Sequence, residues 1–329
     1  MGRNPARSPR VKNRMEEQIR EKVREGYSAI AEQDLGCCAG GSCCGSSPEV
    51  ARELAVKLGY DPKVLETLPE GTNLGLSCGN PQAIAALEPG ETVLDLGSGA
   101  GFDVFLAAQA IGPTGLAIGV DMTASMLSKA RKNAMAFTER TGLSNVSFRL
   151  GEIEHLPVAD NAVDAVISNC VLNLSPDKPQ VWREIARVLK PGGRVAISDL
   201  ALKQPLPEGV FALAESLVGC VAGAVLVDEM HDAAQAAGLT EIVIELKGEY
   251  VAVMENIQDP LYAQILELLP RGQKLSDYVV SAAVTGHKPC EGCDGNCGCN
   301  EQEPGRGVVV DLSSLSRESS CCQPGSGCC

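Results

Sequence analysis

A run of glycines in the first third of the sequence has the spacing of a loop that binds a ligand through its backbone. In VLDLGSGAGFD, Gly97, Gly99 and Gly101 follow a short apolar stretch and precede a second one. Glycines at such a turn let the backbone approach a ligand that would collide with a Cβ atom. The spacing is G-x-G-x-G, not the G-x-G-x-x-G of dinucleotide-binding loops. Asp95 adds a carboxylate beside this loop.

Residues further along the chain extend this candidate binding site. Asp121 ends the stretch LAIGVD, where a carboxylate can accept both hydrogen bonds of a ribose diol. Met122 can pack on an adenine face, and Glu152 or Ile153 in RLGEIEHLPV can meet the adenine edge. Asn169, at the end of a later apolar stretch, is a further candidate. In this order the segments resemble class I methyltransferases, so we expect S-adenosylmethionine as the methyl donor.

Cysteines supply the second chemical feature, and Cys78, Cys170 and Cys220 lie outside the cysteine clusters. Most methyltransferases that act on oxygen or nitrogen need a base to remove a proton from the acceptor. None of the 3 histidines lies in a motif typical of such a base, and an acceptor with a free lone pair needs none. Trivalent arsenic is such an acceptor, because it prefers thiolate sulfur as soft metals do. Three thiolates around it leave its lone pair directed outwards.

Several segments resemble arsenite methyltransferases over roughly residues 17–255, namely GLSCGNP, LDLGSGAGFD, GVDMT, VISNCVLNLSPDK, LKPGGRVAISD and GCVAGA. The resemblance implies that Cys78, Cys170 and Cys220 bind As(III). It also implies that a fourth cysteine, matching Cys44, forms a disulfide with the position of Cys78 as electrons return to arsenic. The same cluster, CCAGGSCCG, offers alternatives to Cys44, which are Cys37, Cys38 and Cys43.

The resemblance implies methylation of arsenite to methylated arsenicals, with arsenic detoxification as the role. We expect Asp95 and Asp121 to hold the positively charged sulfonium, and positioning to supply most of the rate. Because methylation formally oxidises arsenic, an external thiol reductant such as glutathione or thioredoxin is an expected partner. One alternative is a methyltransferase for a small carbon or oxygen acceptor such as a quinone. The other is a thiol-rich metalloid buffer or redox sensor, which leaves the glycine loop without a purpose.

These residues require a sheet that brings the ends of several strands together. From residue 92 short apolar stretches alternate with helical ones. TVLDLG, LAIGVDM, VSFRLG, AVDAVISN and GRVAISDL are predicted strands, separated by helices such as SMLSKARKNAMAFTER and KPQVWREIARVL. The alternation predicts an α/β fold with a doubly wound, mostly parallel sheet. With the resemblance, this becomes a seven-stranded Rossmann-like methyltransferase sheet.

Changes in composition divide the chain into four predicted segments. Residues 1–75 hold N-terminal helices and a Cys-rich loop, and 76–200 form the Rossmann-like domain that binds S-adenosylmethionine. Residues 201–285 form a smaller mixed α+β lobe that binds arsenic. Residues 286–329 are rich in Cys, Gly, Ser and Pro, so they are predicted to be a disordered, flexible tail without a core. Its closely spaced cysteines suit capture of arsenic better than a structural zinc site.

Charge and hydropathy restrict the class of partner. A net charge of −14 argues against binding to nucleic acid or an anionic membrane. The first residues lack the apolar run of a secretory signal, and the longest apolar run, SLVGCVAGAVLV, is too short to span a membrane. We therefore predict a cytoplasmic monomer that acts on a small molecule.

Overall fold

The computed structural model describes residues 9–33, 48–210, 221, 223–248, 251 and 267–290. The strands are β1 (Thr92–Leu96), β2 (Leu116–Asp121), β3 (Val146–Leu150), β4 (Val163–Asn169), β5 (Leu189–Leu202), β6 (Thr240–Lys247) and β7 (Val279–His287). The helices are α1 (Pro9–Gln33), α2 (Pro48–Lys57), α3 (Pro62–Leu65), α4 (Pro81–Ala85), α5 (Phe102–Ile111), α6 (Ala124–Thr141), α7 (Lys178–Val188) and α8 (Val227–Ala236). Short 3₁₀ turns lie at Leu172–Leu174 and Leu275–Asp277.

The described strands form one sheet in the order β3-β2-β1-β4-β5-β7-β6. The strands from β3 through β5 are parallel, and β7 runs antiparallel to both β5 and β6. The strand order reverses between β1 and β4, and ligands of open α/β sheets bind outside the carboxyl ends of the strands at such a point. The fold therefore directs attention to the loops after β1 and β4.

Both faces of the sheet are covered, which confirms the predicted doubly wound fold. Leu94 and Leu96 pack with residues of α7 and α8, including Trp182 and Met230. Val93, on the opposite face of the same strand, packs with residues of α4 and α5. Side chains alternate between the faces of a strand, so burial of both faces explains why the central strands are continuous apolar runs.

Local signals set the ends of the two helices nearest the site. At α6, Gly142 has a left-handed φ of 74°, and its N–H donates to the carbonyl of Thr138, which is a common way to end a helix. At α7, the side chain of Asp177 accepts a hydrogen bond from the N–H of Gln180, as an N-cap residue does. The predicted helices 125–140 and 178–189 are confirmed to within one residue at each end.

The C-terminal strands complete the same sheet. β7 pairs with β5 from Arg194 opposite His287 to Leu202 opposite Val279, and β6 pairs with the other edge of β7. The segment 201–285 thus contributes β6, α8 and most of β7, and its separation as an arsenic-binding lobe stays a prediction. In the parts of the chain described above, no helix combines the length and apolarity needed to cross a bilayer.

Candidate active site

The glycine loop after β1 is tied to the end of β2 by one carboxylate. Asp121 accepts hydrogen bonds from the backbone N–H groups of Gly99, at 2.9 Å, and Thr123, at 2.8 Å. Burial raises the pKa of Asp121, and these backbone donors oppose that shift. The loop and the predicted ribose-binding carboxylate therefore form one unit.

The three predicted glycines meet different requirements. All have left-handed φ values, of 67° at Gly97, 51° at Gly99 and 96° at Gly101. A Cβ at Gly97 would lie 2.3 Å from a methyl carbon of Val171, and one at Gly101 would lie 2.6 Å from the ring of Phe105. A Cβ at Gly99 would meet no heavy atom within 4 Å. Packing therefore requires Gly97 and Gly101, whereas Gly99 leaves space open beside the loop.

An open cavity lies over this loop, and concave clefts of this kind are where small molecules bind. Open space at Gly99 beside the Asp121 carboxylate fits a ligand with a ribose, and the apolar side chains of Met122 and Ile153 fit an aromatic ring. The chain thus has the groups that S-adenosylmethionine requires. The predicted site residues that line the cavity are Gly97, Gly99, Asp121, Met122, Ile153, Asn169 and Cys170.

Other predicted cofactor residues lie next to the cavity lining. Asp95 is buried behind the loop, and burial together with the nearby carboxylates of Asp103 and Asp121 raises its pKa well above the usual range. Gly101 packs against aromatic rings, as described above. The carboxylate of Glu152 faces α1, where Arg24 lies 3.1 Å away. The assignment of these residues to cofactor binding stays a prediction.

The N-terminal helix covers one side of the cavity. Arg20, Val23 and Tyr27 of α1 contribute to the lining. The guanidinium of Arg20 lies 4.0 Å from the carboxylate of Glu154, which is 5% exposed. No local pattern in the sequence identifies these residues, because the contacts join positions more than a hundred residues apart in the chain.

Cys78 and Cys170 meet at the carboxyl end of the sheet and form a disulfide, with 5.9 Å between their Cα atoms. Cys170 has a left-handed φ of 58°, which is uncommon for a residue other than glycine. Its N–H donates to the carbonyl of Ser198 at 2.8 Å. Both sulfurs lie in an apolar cluster with Leu200 and Tyr278. The structure thus brings together two of the three predicted arsenic ligands.

Cys220 and Cys44 lie outside the described residues, so their predicted roles are not tested. The disulfide that the resemblance implies joins the Cys44 and Cys78 positions, whereas here Cys78 is bonded to Cys170. The sulfur of Cys78 also lies 3.5 Å from the carbonyl oxygen of Ser198. Because a disulfide sulfur carries no proton, this contact becomes a hydrogen bond only when the thiol is reduced.

Asn169 connects the end of β4 to the loop that carries Cys78. Its side-chain oxygen accepts a hydrogen bond from the N–H of Cys78 at 3.1 Å. Its side-chain nitrogen lies 3.0 Å from the carbonyl of Gly79, 3.0 Å from the hydroxyl of Tyr60 and 3.1 Å from the carboxylate of Asp103. Asn169 therefore positions Cys78 as well as lining the cavity. The sequence suggested only that Asn169 binds the cofactor, not that it positions Cys78.

Asp199 is a buried acid beside the two cysteines, outside the cavity lining, and it was not predicted from the sequence. Its carboxylate lies within 4.8 Å of the sulfurs of Cys78 and Cys170 and is fully buried. It accepts hydrogen bonds from the side chain of Asn173, at 2.8 Å, and from the backbone of Leu200, at 2.8 Å. Burial raises the pKa of Asp199 to about 6, against the opposing effect of backbone donors. In the sequence, the local signal for this residue is that an acid directly follows the stretch VAIS.

Comparison with known proteins agrees with this geometry. Residues 87–238 match a family model described as a methyltransferase domain. An arsenite methyltransferase of Halobacterium salinarum is 46% identical over 287 residues, which cover 85% of this chain and 69% of that protein. The chain belongs to the arsenite methyltransferase family. This confirms the resemblance found in the sequence and the prediction that the protein is a methyltransferase.

Other members of the arsenite methyltransferase family are more distant. An arsenite methyltransferase of Aquipseudomonas alcaligenes is 37% identical over 68% of this chain, which spans 62% of that protein. The solved structure of an arsenic (III) S-adenosylmethionine methyltransferase from Chlamydomonas reinhardtii superposes with a TM-score of 0.54 and 31% identity, covering 74% of each chain. The chain therefore shares its fold with a solved relative.

Proposed function

We propose that the protein transfers a methyl group from S-adenosylmethionine to trivalent arsenic held by the thiolates of Cys78, Cys170 and Cys220. The observation that carries the proposal is the convergence of two thiols at the cavity. Cys170 lines the cavity, and its Cα lies 5.9 Å from that of Cys78. The names of the relatives support arsenite as the substrate.

The described residues suit the methyl donor. When bound, S-adenosylmethionine supplies an electrophilic methyl group on a sulfonium centre. Asp121 can accept a ribose diol, because a carboxylate has about four acceptor sites and the bonds to Gly99 and Thr123 do not exhaust them. Met122 and Ile153 offer apolar contacts for adenine, and the open space at Gly99 admits close approach of the ligand to the backbone.

The thiols hold the acceptor without a base. Each thiol gives its proton to a hydroxyl group of arsenite, so that three As–S bonds replace three As–O bonds and three waters leave. The apolar side chains of Leu200 and Tyr278 around Cys78 and Cys170 exclude water from these bonds. The lone pair of arsenic is already available for methylation, which explains why no histidine is needed at the site.

Methylation at the lone pair raises arsenic formally from As(III) to As(V), and two electrons must return before the next cycle. Oxidation of two thiols to a disulfide releases two electrons, and Cys78 and Cys170 are close enough to form one. Cys44 is the alternative disulfide partner for Cys78. An external thiol, from glutathione or thioredoxin, then reduces the disulfide by exchange. Arsenic detoxification by a cytoplasmic monomer is part of the same proposal.

One incubation tests this function. The reduced full-length protein is supplied with methyl-labelled S-adenosylmethionine, and with arsenite or a quinone in parallel samples. We expect labelled methylarsenicals, inhibited by thiol-alkylating reagents, and no labelled quinone. Labelled quinone formed equally well after alkylation would favour the alternative acceptor and overturn the proposal.

A further inference from the structure

Three side chains that can carry negative charge converge in one buried place. Donor atoms of Cys78, Cys170 and Asp199 all lie within 4.8 Å of one another. The three residues are 0%, 5% and 0% exposed, respectively. Burial of charge is costly, and Lys178 is the nearby positive charge that offsets part of the charge on Asp199, so a bound cation would stabilise the three donors when they are reduced and ionised.

The chemical types of the donors favour a different ion from arsenic. As(III) is soft and is satisfied by thiolates alone, which gives the carboxylate no direct part in holding it. Zn²⁺ binds thiolate sulfur and carboxylate oxygen together, and open zinc sites commonly use three protein ligands and one water. Two cysteines and one aspartate are such a set.

The surroundings of Asp199 are those of a metal ligand. Carboxylates that bind metals are themselves held by hydrogen bonds from outside the ligand set. Here the side chain of Asn173 donates to Oδ1 at 2.8 Å and its backbone N–H donates to Oδ2 at 3.2 Å. The Leu200 N–H donates to Oδ1 at 2.8 Å. The carboxylate is therefore fixed in orientation before any ion arrives.

We propose that reduced Cys78 and Cys170, together with Asp199, form a binding site for a borderline-soft divalent cation such as Zn²⁺, and that this cation competes with arsenite. The competition rests on the proposed function, because both ions use the same two thiols. Asp199 is the residue that distinguishes them, since it is a ligand for the divalent cation only.

Inhibition kinetics test the competition. Methylation by the reduced full-length protein is measured against arsenite concentration, with free Zn²⁺ fixed by a chelator so that other cysteines do not deplete it. We expect Zn²⁺ to raise the KM for arsenite without lowering the maximal rate. Asp199→Asn should raise the inhibition constant for Zn²⁺ by about tenfold or more, because losing even an outer-shell partner costs this much. Its KM for arsenite should change by less than about twofold, since As(III) is held by the thiolates.

Asp164→Asn is the matched control. Asp164 lies near the opposite end of the sheet, bound to Lys190 at 2.8 Å, so the same loss of charge there should leave Zn²⁺ inhibition unchanged. Inhibition that does not compete with arsenite, or an Asp199→Asn variant inhibited like the parent, would overturn the inference. An equal change in the inhibition constant for Zn²⁺ and in the KM for arsenite would mean that Asp199 only supports the structure. That result would also overturn the inference.

A second measurement on the unsubstituted protein needs neither the variant nor methylation. Alkylation of each cysteine by iodoacetamide is followed by peptide mass spectrometry, with and without buffered Zn²⁺. We expect Zn²⁺ to protect Cys78 and Cys170 together at the concentration that inhibits. Full alkylation of both at that concentration would refute the site. Protection of both in a protein that does not methylate arsenite would support the site and refute the proposed function alone.

Discussion

Replacing Gly97 by alanine tests whether the glycine loop and the thiol-bearing turn are packed as one unit. Gly97 has a φ of 67°, which costs an ordinary L-residue roughly 1–2 kcal/mol. The new Cβ would lie 2.3 Å from one methyl carbon of Val171 and 2.6 Å from the other. Val171 directly follows Cys170 in the chain, and overpacking of this kind costs roughly 1–3 kcal/mol. We therefore expect Gly97→Ala to lower the free energy of unfolding by about 2–5 kcal/mol in total.

Substitutions at two other glycines separate the conformational and overpacking contributions to this loss of stability. Gly142 ends α6 with a φ of 74°, and a Cβ added there would have no heavy atom within 4 Å. Gly142→Ala should therefore lose only the conformational part, roughly 1–2 kcal/mol. Gly99→Ala should lose a similar amount of stability, because its Cβ also meets open space. That space belongs to the cavity, so Gly99→Ala should in addition weaken S-adenosylmethionine binding.

Urea unfolding under reducing conditions measures the loss of stability, and isothermal titration measures the Kd for S-adenosylmethionine. Gly97→Ala should be less stable than Gly142→Ala by about 1–3 kcal/mol, the overpacking part alone. Equal stabilities for these two variants would refute the contact between the loop and Val171. A normal Kd for Gly99→Ala would refute the view that Gly99 faces the bound cofactor.

Three further perturbations have defined outcomes. Asn169→Ala removes the hydrogen bonds that hold the Cys78 loop, so kcat/KM for arsenite should fall about tenfold or more, a barrier change of about 1.4 kcal/mol; an unchanged kcat/KM would contradict the positioning role. In urea unfolding, Arg20→Ala should lower the free energy of unfolding by about 1–2 kcal/mol, because it leaves buried Glu154 without this partner. Arg24→Ala breaks a more exposed pair and should lower it by about 0–1 kcal/mol. A larger loss for Arg24→Ala than for Arg20→Ala would contradict the burial argument. Burial lowers the pKa of His287, so the unfolded chain binds the proton more readily than the folded one. The free energy of unfolding should therefore fall as the pH drops through about 6.5. His287→Gln should flatten this part of the plot of stability against pH, and a plot identical to that of the parent would contradict the argument.

The features predicted correctly are those that neighbouring residues determine. The strand before Gly97 and the helix after it follow from apolar runs broken by glycines, and both faces of the sheet are buried as those runs indicate. The place of Asp121 at the end of β2 is also a local signal, and it lines the cavity, while its role in cofactor binding stays a prediction. The two thiols were singled out by chemical type, and the fold brings them together.

The missed features depend on contacts between distant parts of the chain. β7 (Val279–His287) lies between β5 and β6 with both faces buried, so VVSAAVTGH lacks the alternation that marks a half-buried strand. Helix α1 has charged residues over much of its length, and nothing local indicates that Arg20 and Tyr27 reach the cavity. Asp199 resembles any acid that follows an apolar run until Cys78 is placed beside it.

Arsenite methylation by Cys170→Ser tests the central claim most directly, with Cys290→Ser, which alters a thiol that follows β7 outside the cavity lining, as the matched control. Both variants are assayed for labelled methylarsenicals and for binding of S-adenosylmethionine. We predict that Cys170→Ser binds the methyl donor normally and forms no methylarsenical, while Cys290→Ser retains activity at saturating arsenite. Normal turnover of arsenite by Cys170→Ser would contradict the claim that this thiolate holds the arsenic.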